Sequence, residues 1–163
     1  MTCMRSLRLA LIFAIAAATG CTKTSEHKSA AEDKGTTKAA SESPDHVHGE
    51  GPNGGVVFDL GKYHAEFTVD HDKKQCMVVV LGDDEKTPAA VAASELTLTT
   101  KETKTETGTT VPPMTITLKA KNAANGKAAE FVGTDDGLGN VADFEGAVIG
   151  EIDGKPSQGE FQE

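Results

Sequence analysis

Two runs of alternating apolar and polar residues, VVFDL at 56–60 and YHAEFTVD at 63–70, are separated only by Gly61 and Lys62. A period of two sends successive side chains to opposite faces of a strand, and a two-residue joint between such runs closes as a hairpin. The pattern therefore predicts an antiparallel pair. Val56, Phe58 and Leu60 share one face of its first strand; Tyr63, Ala65, Phe67 and Val69 share one face of its second. His64, Glu66, Thr68 and Asp70 point the other way.

The same grammar continues to the end of the chain. QCMVVVL at 75–81 is apolar on both faces, the mark of a strand covered on both sides. Further strands are predicted at 89–93, 95–99, 114–120, 128–132, 146–152 and 159–162. Asn125-Gly126 and Asp153-Gly154 supply hairpin turns. The threonine-rich stretch TTKETKTETGTT at 99–110 has no apolar position and reads as a solvated edge or loop. About seven to eight short strands with turn signals every ten residues or so, and no helical periodicity, predict an all-β domain at 51–163. Its expected form is a small antiparallel β-sandwich, Ig-like or barrel-like.

What precedes the domain differs in kind. Residues 1–20 carry Arg5 and Arg8 ahead of an apolar run, LALIFAIAAA at 9–18. That run is too short to cross a hydrocarbon layer of about 30 Å and suits the core of an export signal. Ala18-Thr19-Gly20-Cys21 resembles the bacterial lipobox, in which small residues precede a cysteine that is lipidated and becomes the new N-terminus. The resemblance implies a lipoprotein anchored to the membrane through Cys21. Thr22 in place of an aspartate implies, by the sorting rule of Gram-negative lipoproteins, the outer membrane with the domain facing the periplasm. Residues 21–50 are polar and poor in bulky apolar side chains, so they read as a disordered linker spanning roughly 30 Å.

Charge narrows the partners. The whole chain carries −9, and the export segment holds two of the basic residues and none of the acids, so the remainder is more acidic still. A nucleic-acid partner, which needs a basic face, is not expected. With one Tyr and no Trp, an aromatic-lined sugar or ligand groove is not expected either. Cys76 is the one cysteine of the 51–163 domain and reads as a buried, inert thiol. No G-x-S-x-G, P-loop or H-E-x-x-H is present, so no catalytic residue is assigned and the chain is not expected to be an enzyme. The acidic glycine loop at 135–143 lacks the EF-hand order and reads as a connection.

The residues with chemistry to offer gather at the front of the domain. His64 and Glu66 leave the same face of one strand, about 7 Å apart along it. His46 and His48 precede the glycine-rich turn Gly51-Pro52-Asn53-Gly54-Gly55, which is able to fold over that face. Imidazole and carboxylate together suit Zn²⁺ or Cu²⁺, so the candidate metal ligands are His48, His64 and Glu66 with His46 as auxiliary. The bland alternative is that His64 and Glu66 are the outward polar residues any half-buried strand shows.

The segment HGEGPNGGVVFDLGKYHAEF resembles one found in periplasmic adaptor subunits of heavy-metal efflux pumps, and in short secreted lipoproteins that carry it alone. There it takes the form H-x-x-G-P-H-G-G, an apolar strand, then L-G-x-x-H-x-E. His48, Gly51, Pro52, Gly54, Gly55, Leu60, Gly61, His64 and Glu66 match; Asn53 stands where the family has a second histidine. The likeness covers about 20 residues and reaches neither the coiled-coil hairpin nor the lipoyl-like parts of an adaptor. It implies a non-catalytic envelope lipoprotein that binds a divalent transition metal, Zn or Cu, in connection with metal efflux. The competing expectation is a structural or interaction β-domain of the envelope, with a protein partner and no small-molecule site.

Overall fold

The computed structural model describes residues 48–163. The expected export signal at 1–20, the lipidation site Cys21, the linker up to residue 47 and His46 all lie outside the described residues. Ten strands follow in order: β1 (Val56–Leu60), β2 (Tyr63–Asp70), β3 (Gln75–Leu81), β4 (Glu95–Thr100), β5 (Thr103–Lys104), β6 (Thr110–Val111), β7 (Thr115–Lys121), β8 (Glu130–Thr134), β9 (Glu145–Ile152) and β10 (Lys155–Gln162). Eight of them form one antiparallel sheet in the order β1-β2-β3-β8-β7-β4-β9-β10, and β5 and β6 make a separate two-stranded ribbon. The large sheet curls until β1 and β10 lie side by side, giving a nearly closed barrel.

Alternation determines what fills it. Phe58, Leu60, Ala65, Phe67, Cys76, Val78 and Val80 from β1–β3 point inward, and so do Leu96, Leu98, Ile116, Leu118, Phe131, Val148, Ile152 and Phe161 from the others. Eight strands leave an interior that side chains fill without a channel. Phe161 of β10 stacks on Phe67 of β2 with ring centres 4.3 Å apart and lies 5.8 Å from Phe58 of β1. The last strand is thus fastened to the first two through the core. Burial pushes the inward Cys76 thiol up to about 12, which leaves it protonated and inert.

The edges of β1 and β10 approach so closely that no side chain fits between their backbones. A Cβ built on Gly159 would stand 2.0 Å from the carbonyl oxygen of Asp59. Below that contact, Asp153 in the β9–β10 turn ties the edge shut. Its carboxylate accepts from the Tyr63 hydroxyl at 2.7 Å and from the Ala92 amide at 3.0 Å, and Lys62 Nζ lies 3.4 Å away.

Those bonds, the Ala92 amide first and Tyr63 next, hold Asp153 down at about 2. Its folded value lies below its unfolded one, so its contribution is complete above the ordinary carboxyl range near pH 4 and is lost as pH falls through about 2. Acid unfolding followed by circular dichroism should show Asp153→Asn losing less stability between pH 4 and 2 than the parent. Asn tolerates the positive φ of 53° at this position.

Sequence pattern and structure agree closely in β1–β3, whose predicted bounds are the observed ones. The predicted strand at 89–93 is not a strand. Only isolated bridges form around it, Leu81 to Pro88 and Val91 to Ala128; Val91 is buried in the core with Ala89 and Ala93 packed against it, while the Ala92 amide donates to Asp153. The threonine-rich stretch, expected to be solvated, ends β4 with Thr99 and a buried Thr100 and then enters the β5–β6 ribbon, which sends Val111 into the core. The loop at 135–143 contains a 3₁₀ turn, Asp136–Gly139, capped by Asp135.

Candidate metal centre

The outer face of β1–β3 is organised in rows by the hairpin register. The two-residue joint pairs Leu60 with Tyr63, which sets Asp59 opposite His64 and His64 opposite Leu81. One row further along lie Val57, Glu66 and Val79. Val57, Val79 and Leu81 are buried on this face as a small second core, with Met77 against it.

The cover comes from the glycine-rich turn. Gly51 N donates to Gly55 O at 2.8 Å, Gly54 N donates to Gly51 O at 3.0 Å, and Glu50 bridges to Val56. The chain therefore doubles back over the outer face of β1–β3. Glu66 is the peg on which this turn hangs. It is 0% exposed. Its Oε1 accepts from the amides of Asn53 (2.7 Å) and Gly55 (2.9 Å), and its Oε2 accepts from the Asn53 side chain (2.7 Å). Gly51 lies flat on the carboxyl group, since a Cβ there would be 2.4 Å from Glu66 Cδ.

Doubling back carries His48 past β1 to Asp59. His48 Nε2 is 3.6 Å from Asp59 Oδ2, and His64 Nε2 is 3.4 Å from Asp59 Oδ1. The two imidazoles meet edge to face with centres 5.5 Å apart. From the turn after β3, Glu85 Oε1 comes within 3.3 Å of His48 Nδ1 and 3.6 Å of His64 Nε2. The imidazoles are largely covered, at 13% and 20% side-chain exposure, and the carboxylates about a third exposed. One donor atom each from His48, Asp59 and His64 lies within 4.8 Å of the others, a spacing at which three side chains can share one ion.

A further contact prepares one of the imidazoles. His64 Nδ1 donates to the Gly82 carbonyl at 3.2 Å. Neutral imidazole has one N–H, so a proton kept on Nδ1 leaves the Nε2 lone pair facing Asp59 and Glu85. That is the second contact that metal-binding histidines commonly make.

Of the residues named from sequence, His48 and His64 come together. Glu66 does not join them: the turn uses both of its oxygens, and it sits one row away from His64. Asp59 stands in the place expected for Glu66. His46 lies outside the described residues. Asp59 was readable, since the two-residue joint sets it across from His64. Glu85 was not, because its position depends on the path of the turn at 82–87. Comparison with protein-family models, with curated proteins and with solved structures finds no match to this chain.

Proposed function

We propose that this chain is a non-catalytic envelope lipoprotein whose barrel binds a divalent transition metal through His48, Asp59 and His64. The supporting observation is the convergence of two imidazoles and a carboxylate from separate segments, with one imidazole already oriented by a backbone carbonyl. Borderline nitrogen and hard oxygen donors suit Zn²⁺ or Cu²⁺. The metal-handling context follows from the resemblance of residues 48–66 to efflux-pump adaptors. The lipid anchor at Cys21, and an outer-membrane position facing the periplasm, follow from the lipobox resemblance.

The test is calorimetric titration of residues 21–163, with Cys21→Ser to avoid lipidation, against Zn²⁺ and Cu²⁺. The expected result is one equivalent bound at micromolar affinity or tighter, weakened at least about a hundredfold by His64→Ala, which removes one of a small set of ligands. Equal binding by parent and variant refutes the reading. A chain that takes no metal leaves the interaction-domain alternative, for which Ile149, 43% exposed on the outer face of β9 beside Thr97 and Pro156, is the first surface to probe.

A further inference from the structure

Resting on that metal-binding reading, we infer that Glu85 is a positioning residue, which keeps the proton of His48 on Nδ1 and so aims the His48 Nε2 lone pair at the ion. The argument begins with which ring nitrogen meets which neighbour. His48 turns Nδ1 to Glu85 Oε1 at a hydrogen-bonding 3.3 Å, and Nε2 to Asp59 Oδ2 at 3.6 Å. His64 turns Nδ1 to the Gly82 carbonyl at 3.2 Å, and Nε2 to Asp59 Oδ1 at 3.4 Å. A carbonyl oxygen and an ionised carboxylate only accept, and a neutral imidazole has one N–H. Both rings therefore keep that proton on Nδ1. Each offers its one electron pair at Nε2, and the two pairs face the two oxygens of the same carboxylate.

That convergence calls for a cation. The two Nε2 atoms and the Asp59 oxygens are all acceptors, with no N–H among them, and an ion between them satisfies all three side chains. Glu85 Oε1 also lies 3.6 Å from His64 Nε2, but that nitrogen has no proton to give. The hydrogen bond of Glu85 goes to His48 instead.

Glu85 reaches this place at a cost to its own backbone. Its φ is +56°, a region that a residue with a Cβ seldom adopts, and Glu85 N donates to Gly82 O at 3.0 Å to hold it there. The same Gly82 carbonyl accepts from His64 Nδ1. One peptide group thus orients His64 directly and His48 through Glu85. Of the other acids in the turn, Asp83 is exposed and Asp84 is occupied with the amides of Lys86 and Thr87. The two imidazoles differ in one respect. His64 is oriented by backbone, which no side-chain substitution removes, whereas His48 depends on a side chain.

The experiment uses residues 21–163 with Cys21→Ser as parent, and Glu85→Ala, Glu85→Gln and Asp83→Asn made in it. Proton–nitrogen correlation spectra of the metal-free proteins at about pH 9, above the ordinary imidazole range, read the tautomer of each ring. His48→Ala and His64→Ala identify the signals, and zinc titration reads affinity. In the parent both rings should carry the proton on Nδ1. In Glu85→Ala the His48 proton should move to Nε2, where Asp59 accepts it, while His64 stays as it was. Zinc affinity should then fall on the order of 10–100-fold, the usual cost of losing such a second contact. Glu85→Gln still accepts from Nδ1 through its side-chain carbonyl, so it should keep the parent tautomer and stay within about fivefold of the parent affinity, as should Asp83→Asn.

A parent with His48 protonated at Nε2, an unchanged His48 tautomer in Glu85→Ala, or equal zinc affinity in the two overturns the assignment and leaves the three-residue reading standing. So do equal losses in Glu85→Ala and Glu85→Gln, which would mean that Glu85 supplies charge and not orientation. A His64 tautomer that changes along with that of His48 overturns it too, since the whole turn would then have moved. A parent that binds no zinc overturns the metal-binding reading, and the role of Glu85 toward an ion with it.

Discussion

Gly159→Ala should unfold at a temperature on the order of 12 °C below the parent, with a loss of about 3 kcal/mol, the upper end of what forced overpacking costs. The added Cβ would lie 2.0 Å from the Asp59 carbonyl oxygen, and the obstacle is backbone, so no rotamer change relieves it. Either β10 withdraws, and Phe161 loses its stacking on Phe67, or β1 bends away. The contact has a second consequence because Asp59 faces two ways. Its carbonyl meets Gly159, while its carboxylate meets His48 and His64. A β1 displaced by the new methyl should also hold metal less tightly at temperatures where the variant remains folded. Thermal denaturation and zinc titration of one preparation measure both effects. Gly49→Ala is the control, since a Cβ there meets nothing within 4 Å. A Gly159→Ala midpoint within about 2 °C of the parent would show that the barrel edge yields freely, against the close packing expected of a folded interior.

Glu66→Ala should cost about 2–4 kcal/mol in urea unfolding. Three N–H donors lose their acceptor, and a fully covered side chain is deleted from beneath the turn. Glu66→Gln should cost about 1 kcal/mol, because its carbonyl still serves the Asn53 and Gly55 amides and the Asn53 side chain can rotate to accept from the new amide. The pair also separates two roles for Glu66. A ligand would lose metal affinity in both variants. A peg holding His48 in place would lose it in Glu66→Ala and largely keep it in Glu66→Gln. The second pattern is expected, since both carboxylate oxygens are already engaged by the turn.

The course of β1 to β3 was readable residue by residue because local rules suffice there: a period of two, a two-residue joint, and an all-apolar strand that has to be covered on both faces. The antiparallel all-β class followed from the same rules applied along the chain. The strand order did not. Nothing in ELTLTT or TITLKAK says that β4 slots between β7 and β9, since that depends on which edges meet after collapse. The segment at 89–93 departs from a strand for a related reason: in AAVAA Val91 bridges to Ala128 while the Ala92 amide turns to Asp153, far along the chain. At the site, His48 and His64 were legible as residue types able to meet. The expectation that Glu66 joins them fails because distance along a strand says nothing of what lies on top of it. The Asn53 amide and side chain claim it first.

All four converging side chains, from His48 to Glu85, belong to the first third of the described fold, whereas the barrel is complete only when β10 returns to β1. Assembly of the donor group therefore needs only short loop closures, and barrel closure needs the longest in the domain. Contacts close in sequence form early and distant ones late. In a chain synthesised N-terminus first, the meander that carries these side chains is out and able to pair before the strand that seals the interior has appeared. An ion captured at that stage would act on the order in which the protein folds as well as on the finished fold.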